Sequence, residues 1–351
     1  MQNPLNIDKL FEPLELSPQL QLKNRIVMAP LTRSMADDEL VPTEAMADYY
    51  ARRADAGLII SEATLIAQEG QGYPNTPGIY SSQQISQWQK VTQGVHAKGG
   101  KIFSQLWHTG KASHSIYHDG EQPMAPSAVA VEGRVPRVKD LYYETPRVMT
   151  QEDIDRVIGL YVKAAENALE AGFDGVELHG ANGYLIDQFL HWDSNRRDDQ
   201  YGGNSENMAR FLFQVLDAVT AVIPANLVGL RLSPYAYFNL KPDNRDKAVF
   251  DYLLPLLNRY GLAYIHTGMF KDRKIDLLEC TVTQYIRKHY QGTVIASGGY
   301  EVKSAMQTLE QADADLIAIG RPFIANSDYV EKVQQNKPLT PYTEDMLATL
   351  Y

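Results

Sequence analysis

Short apolar runs rich in β-branched residues alternate along the chain with longer segments whose apolar positions recur every three or four residues. The first pattern suits strands buried on both faces and the second suits amphipathic helices laid against them. Their regular alternation is the signature of parallel βα units. Eight strands are predicted, at 25–29, 58–63, 101–106, 175–179, 228–232, 264–267, 293–297 and 316–320. Helices are predicted at 43–56, 82–98, 151–171, 207–222, 246–260, 281–290, 301–311 and 327–335. In the third of these, Ile154, Val157, Ile158, Tyr161, Ala164, Ala165 and Ala168 make one apolar face, and Gly172 is positioned to cap the C-terminus.

Eight such units, with no Gly-x-Gly-x-x-Gly after the first strand, favour a closed α/β barrel over a doubly wound sheet. The expected architecture is a (β/α)₈ TIM barrel in one domain, 1–351, with a capping excursion after strand 3 at 107–150. That excursion, rich in Pro, Gly and charge, and the polar stretch 191–206 are too long for simple connections and are expected over the barrel mouth.

Composition narrows the partners. With 44% hydrophobic and 22% charged residues the core forms without staples, and a net charge of −10 speaks against nucleic acid or an anionic membrane. One cysteine, Cys280, supports no intrachain disulfide, thiolate-rich zinc site or iron–sulfur cluster, and no metal is expected. Met1-Gln2-Asn3-Pro4-Leu5 lacks a signal-peptide pattern, and no apolar run approaches the roughly 18 residues of a membrane span. A cytoplasmic protein acting on small molecules as a monomer or homodimer is expected.

Barrel enzymes carry their chemistry at the C-terminal ends of the strands, and most strands here end in polar or small residues. These are Thr32; Glu62 and Ala63; Gln105, Trp107 and His108; His179, Asn182 and Tyr184; Arg231; Ser297, Gly298 and Gly299; and Gly320 with Arg321. The last two strand ends suit a phosphate, through glycine N–H groups that approach an anion closely and the Arg321 fork. An inward Arg231 needs a counter-charge, which a reduced flavin ring or the Glu177 carboxylate could supply. His179 and Asn182 offer two N–H donors for a developing enolate, and Tyr184 a proton, although metal ligation or a structural histidine fits His-x-x-Asn nearly as well. His108, His114, His118 and His191 read as solvated or structural, 195–201 as a scaffold, and Trp88 and Trp192 as packing.

Several motifs then coincide: Ala29-Pro30-Leu31-Thr32-Arg33, Gln105-Leu106-Trp107-His108-Thr109-Gly110, Gly172 through Leu185 with His179-Gly180-Ala181-Asn182-Gly183-Tyr184, Asp199-Gln200-Tyr201-Gly202-Gly203, Arg231-Leu232-Ser233-Pro234 and Gly320 through Asn326. Together they resemble the Old Yellow Enzyme family, most closely its N-ethylmaleimide and pentaerythritol tetranitrate reductase branch. The resemblance implies an FMN-dependent ene-reductase driven by NADPH or NADH, acting on α,β-unsaturated carbonyls and possible nitro or nitrate ester acceptors in a ping-pong cycle. It assigns Pro30, Leu31, Thr32, Ala63, Gln105, Arg231, Gly299, Gly320 and Arg321 to FMN, with Ser297 and Gly298 in the same turn. It assigns His179 and Asn182 to the substrate clamp, Tyr184 to proton donation, and Tyr73, Trp107 and Met269 or Phe270 to the pocket. Thr32 stands where one subgroup carries a redox-sensing cysteine, and Cys280 is not expected to replace it. The rivals fare worse: a dienoyl-CoA reductase needs cysteine-rich and dinucleotide-binding extensions, and an aldolase barrel a strand-end lysine. A mere flavin holder would have no use for Tyr184.

Overall fold

The structure is a computed structural model that describes residues 7–351. Met1–Leu5, where the sequence shows no secretory pattern, lie outside the described residues. Eight strands close into a barrel: β1 (Ile26–Met28), β2 (Leu58–Leu65), β3 (Ile102–Trp107), β4 (Gly175–Gly180), β5 (Val228–Leu232), β6 (Tyr264–Thr267), β7 (Val294–Ala296) and β8 (Leu316–Ile319). Each pairs in parallel with its sequence neighbours, and β8 closes on β1. All residues of these strands are buried, which is why the apolar runs show no alternation. Across the register, Gln105 stands beside Glu177, and Arg231 stands between His179 and His266.

The long helix Gln151–Glu170 shows how sequence sets the boundaries. Thr150 and Asp153 form a reciprocal capping box at its start. At its end Gly172 (φ 83°) lets its own N–H reach Leu169 O at 3.0 Å and the Phe173 N–H reach Ala168 O at 3.1 Å, the Schellman arrangement. Predicted helix 43–56 is shorter, Glu44–Ala51, and short helices Leu185–Leu190 and Arg321–Ala325 begin in the turns after β4 and β8.

An N-terminal hairpin, Leu14–Ser17 against Leu20–Leu22, was not foreseen. Its Leu16, Leu20 and Leu22 pack on Val27, Ile60, Phe103, Tyr264, Ile295 and Leu316 and stopper the end of the barrel opposite the strand C-termini. The excursion after β3 carries the strand pair Met124–Ala125 and Arg147–Val148. From it Arg137 reaches the loop after β1, donating to Arg33 O at 2.6 Å and Thr32 O at 3.0 Å. Arg197 ties the 191–206 stretch to it through Pro126 O and Met149 O, so that stretch is a scaffold. No helix among the described residues is long and apolar enough to cross a membrane.

Candidate active site

At the C-terminal end of the barrel lies a cavity of about 540 Å³, within the range of small-molecule and cofactor sites. Of the residues singled out from sequence, Pro30, Leu31, Asn182, Arg231, Ser297, Gly298, Gly299, Gly320 and Arg321 line it, with Met269 and Phe270. Thr32, Ala63, Gln105, His179 and Tyr184 are set back from that lining. Thr32 is half-buried beneath Arg137, and Ala63 packs with Tyr73, Trp107 and Tyr184.

The β7 and β8 ends suit a phosphate. Gly298 (φ 138°) and Gly299 (φ 74°) hold backbone angles that L side chains avoid, and a Cβ on Gly298 would stand 2.4 Å from Asp272 N. Arg321 pairs with no carboxylate among the described residues; its guanidinium lies over the rings of Phe270 and Tyr342 at 5.1 and 5.5 Å. Arg231 is 8% exposed, and its closest hydrogen-bond acceptors, Thr267 O and Ser297 Oγ, stand at 3.5 Å, beyond ordinary hydrogen-bond length. Glu177 does not form an ion pair with it; the carboxylate binds Gln105 Nε2 at 2.6 Å and His266 Nδ1 at 2.9 Å instead. A buried guanidinium so thinly partnered fits an anionic group lodged against it. FMN, with a phosphate at one end and a ring edge that turns negative on reduction, matches both features.

The turn after β4 supplies the donors. Asn182 adopts the left-handed region (φ 61°), with its N–H on Ser233 Oγ at 3.1 Å and its carbonyl held by Asn239 Nδ2 at 3.1 Å. The Tyr237 hydroxyl donates to Asn182 Oδ1, so the acceptor end of that amide is occupied and its NH₂ remains as a donor. Tyr237 was missed from sequence, because the loop after β5 has no period to mark it and the contact spans 55 positions. Tyr237→Phe frees the amide to turn over, and at about 0.5–1.5 kcal/mol for a lost hydrogen bond kcat/KM for the acceptor falls about three- to tenfold. Steady-state kinetics with an enone checks this.

Burial, reinforced by Arg231 and His266, holds the His179 imidazole well below its usual pKa, so it is neutral with one N–H to donate. Its Nδ1 is buried without a hydrogen-bond partner. Burial, then the Tyr73 neighbour, pushes the Tyr184 phenol well above its usual pKa, so it stays protonated. Its hydroxyl lies 2.8 Å from that of Tyr73, with the rings of Trp107 and His179 edge-on at 5.0 Å.

Two histidines read as solvated or structural are deeply buried. His108 is 1% exposed, with Glu69 at 3.9 Å, and His191 is wholly buried between Asp187 (3.1 Å) and Asp246 (2.8 Å). Asp187 also accepts the Gly183 N–H at 2.8 Å, so His191 pins the donor turn from below. Burial alone would lower the His191 pKa, but the two carboxylates outweigh it and raise it to about 10. A folded pKa above the unfolded value of about 6.5 gives stability that is full below about pH 6.5 and lost as pH rises through about 10. His191→Leu strands two buried carboxylates and costs about 3–5 kcal/mol, and the alkaline fall in melting temperature flattens. Thermal unfolding from pH 6 to pH 10 measures both.

Fold and site together define a flavin-dependent oxidoreductase of the TIM-barrel class. The chain belongs to the NADH:flavin oxidoreductase / NADH oxidase family, whose model matches residues 9–340, and within it to the Old Yellow Enzyme type. It is 41% identical over 345 residues to a Leishmania infantum protein named "Probable flavin mononucleotide-dependent alkene reductase", covering 95% of this chain and 92% of that one. The structure of the old yellow enzyme homologue from Zymomonas mobilis superposes with a TM-score of 0.91 at 40% identity, covering 97% and 96% of the two chains. Morphinone reductase in complex with tetrahydroNAD superposes with a TM-score of 0.89 at 42% identity, covering 96% and 93%.

Proposed function

We propose that this protein reduces the activated C=C bond of α,β-unsaturated carbonyl compounds with hydride from NADPH or NADH, with nitro and nitrate ester compounds as further acceptors. The observation that carries the reading is the convergence of a neutral His179, a donor-presenting Asn182 and a protonated Tyr184 beside a cavity suited to FMN. The alkene reductase and morphinone reductase names of similar proteins support it. Pro30, Leu31, Thr32, Ala63, Gln105, Arg231, Ser297, Gly298, Gly299, Gly320 and Arg321 are the residues proposed to hold FMN. When bound, FMN supplies a two-electron carrier that takes hydride from the nicotinamide and returns it to the alkene β-carbon.

The chain's own groups do the rest. The His179 N–H and the Asn182 NH₂ hold the carbonyl oxygen and stabilise the negative charge that develops there. The Tyr184 hydroxyl delivers a proton to the α-carbon, a task its raised pKa permits because the phenol is neutral at every working pH. Tyr73 fixes the direction of that hydroxyl, and with Trp107 walls the substrate side. The chain is proposed to act as one cytoplasmic unit, monomer or homodimer, with 107–150 as the cap. Anaerobic titration with NADPH or NADH bleaches the yellow protein, and a stoichiometric enone restores the colour. A protein that bleaches but is not recoloured by any of a panel of enones, nitroaromatics and nitrate esters overturns the proposal.

A further inference from the structure

The proposed chemistry leaves one buried ionisable pair without a task. Glu177 and His266 lie inside the barrel on β4 and β6, both fully buried. Barrel interiors at this depth are ordinarily filled by branched apolar side chains. Taking a carboxylate out of water costs several kcal/mol, and the hydrogen bonds that offset it here come from His266 and Gln105.

Two details say what the pair does. Gln105 and Glu177 are direct register partners on adjacent strands, and the carboxylate Oε1 accepts Gln105 Nε2 at 2.6 Å. An amide that gives one N–H to the carboxylate has its oxygen fixed on the opposite side as a free acceptor, with the second N–H still a donor. That oxygen is the acceptor an imide N–H such as the one on FMN's pyrimidine edge requires. The second detail is charge. Burial raises the Glu177 pKa, yet His266, Arg231 and Gln105 together hold it below its usual value, so it is ionised. Burial, with help from Arg231, lowers the His266 pKa despite Glu177, so its ring is neutral and Nδ1–H is the donor. That tautomer leaves Nε2 as a bare acceptor, the buried His266 atom without a partner.

We propose that Glu177, anchored by His266, is a positioning residue for FMN: it locks the Gln105 amide with its oxygen outward, and its negative charge partly cancels Arg231 and so lowers the reduction potential of the bound flavin. The inference rests on Gln105 and Arg231 contacting FMN. Reduction adds negative charge to the cofactor, which Arg231 favours and Glu177 opposes.

Two variants separate the roles. Glu177→Gln keeps an oxygen for Gln105 but removes the charge. FMN affinity is expected to hold, while the reduced-to-oxidised ratio at fixed potential rises about tenfold, a positive shift of about 30 mV for a two-electron couple. Glu177→Met also frees the Gln105 amide, and FMN affinity is expected to fall about tenfold; adding Gln105→Leu to it weakens binding little further. Potentials come from equilibration with a reference dye and affinities from flavin fluorescence on reconstitution. A Glu177→Gln protein with the wild-type potential overturns the electrostatic role, and a Glu177→Met protein with wild-type affinity overturns the positioning role. Should neither variant fold, His266→Leu removes one anchor of the carboxylate and so loosens the Gln105 amide it orients, and FMN affinity is expected to fall; unchanged affinity overturns the positioning role. A wild-type chain that takes up no FMN would instead fail the cofactor assignment.

Discussion

Tyr184→Phe leaves flavin reduction by NADPH near the wild-type rate and slows alkene reduction by about 10²–10⁴, the usual contribution of a positioned general acid. The split follows from the site: a hydroxyl is needed only when the α-carbon is protonated, and nothing in hydride delivery from a nicotinamide draws on it. The fall stays finite because the Tyr73 hydroxyl lies 2.8 Å from the one removed and can stand in at longer range. The ring contacts of Tyr184 with Trp107 and His179 survive in phenylalanine, so the pocket keeps its shape. Stopped-flow absorbance of the two half-reactions, followed separately, measures the split. Equal slowing of both would remove Tyr184 from its assigned role.

The second large effect belongs to the donor pair. One donor aimed at a developing oxyanion is worth about 10²–10³ in turnover, so His179→Ala combined with Asn182→Ala lowers kcat for cyclohexenone by about 10³ or more. On the proposed function, the same protein also loses affinity for a phenolic ligand, whose oxygen would take the place of the carbonyl between those two N–H groups. FMN content is the control, since neither side chain belongs to the set proposed to hold the cofactor. A tenfold loss or less would show that the acceptor is polarised elsewhere.

The barrel was legible because its strands are short, parallel and buried on both faces, conditions that write themselves as apolar runs between helical periods. Positions at strand ends were legible for the same reason: once a strand is placed, its last residues are placed with it, as for Gln105, His179 and Arg231. What stayed hidden depends on contacts between distant segments. Tyr237 sits in an irregular loop, and its hold on Asn182 exists only once β4 and β5 are neighbours. Glu177 was visible as a carboxylate near Arg231, but its partner His266 lies 89 positions away, and only the closed ring shows that it binds Gln105 rather than the arginine. His191 reads from sequence as solvated or structural, and only tertiary packing decides for the second by enclosing it between two carboxylates. The hairpin was missed because its strands, Leu14–Ser17 and Leu20–Leu22, alternate apolar with polar residues over three or four positions and lack the unbroken apolar run that marks equally short barrel strands.

That hairpin bears on traffic through the enzyme. With the far end of the cylinder corked by Leu16, Leu20 and Leu22, whatever arrives at the site leaves by the same doorway. On the proposed function, a nicotinamide and an enone must take turns there, so an excess of either obstructs the other.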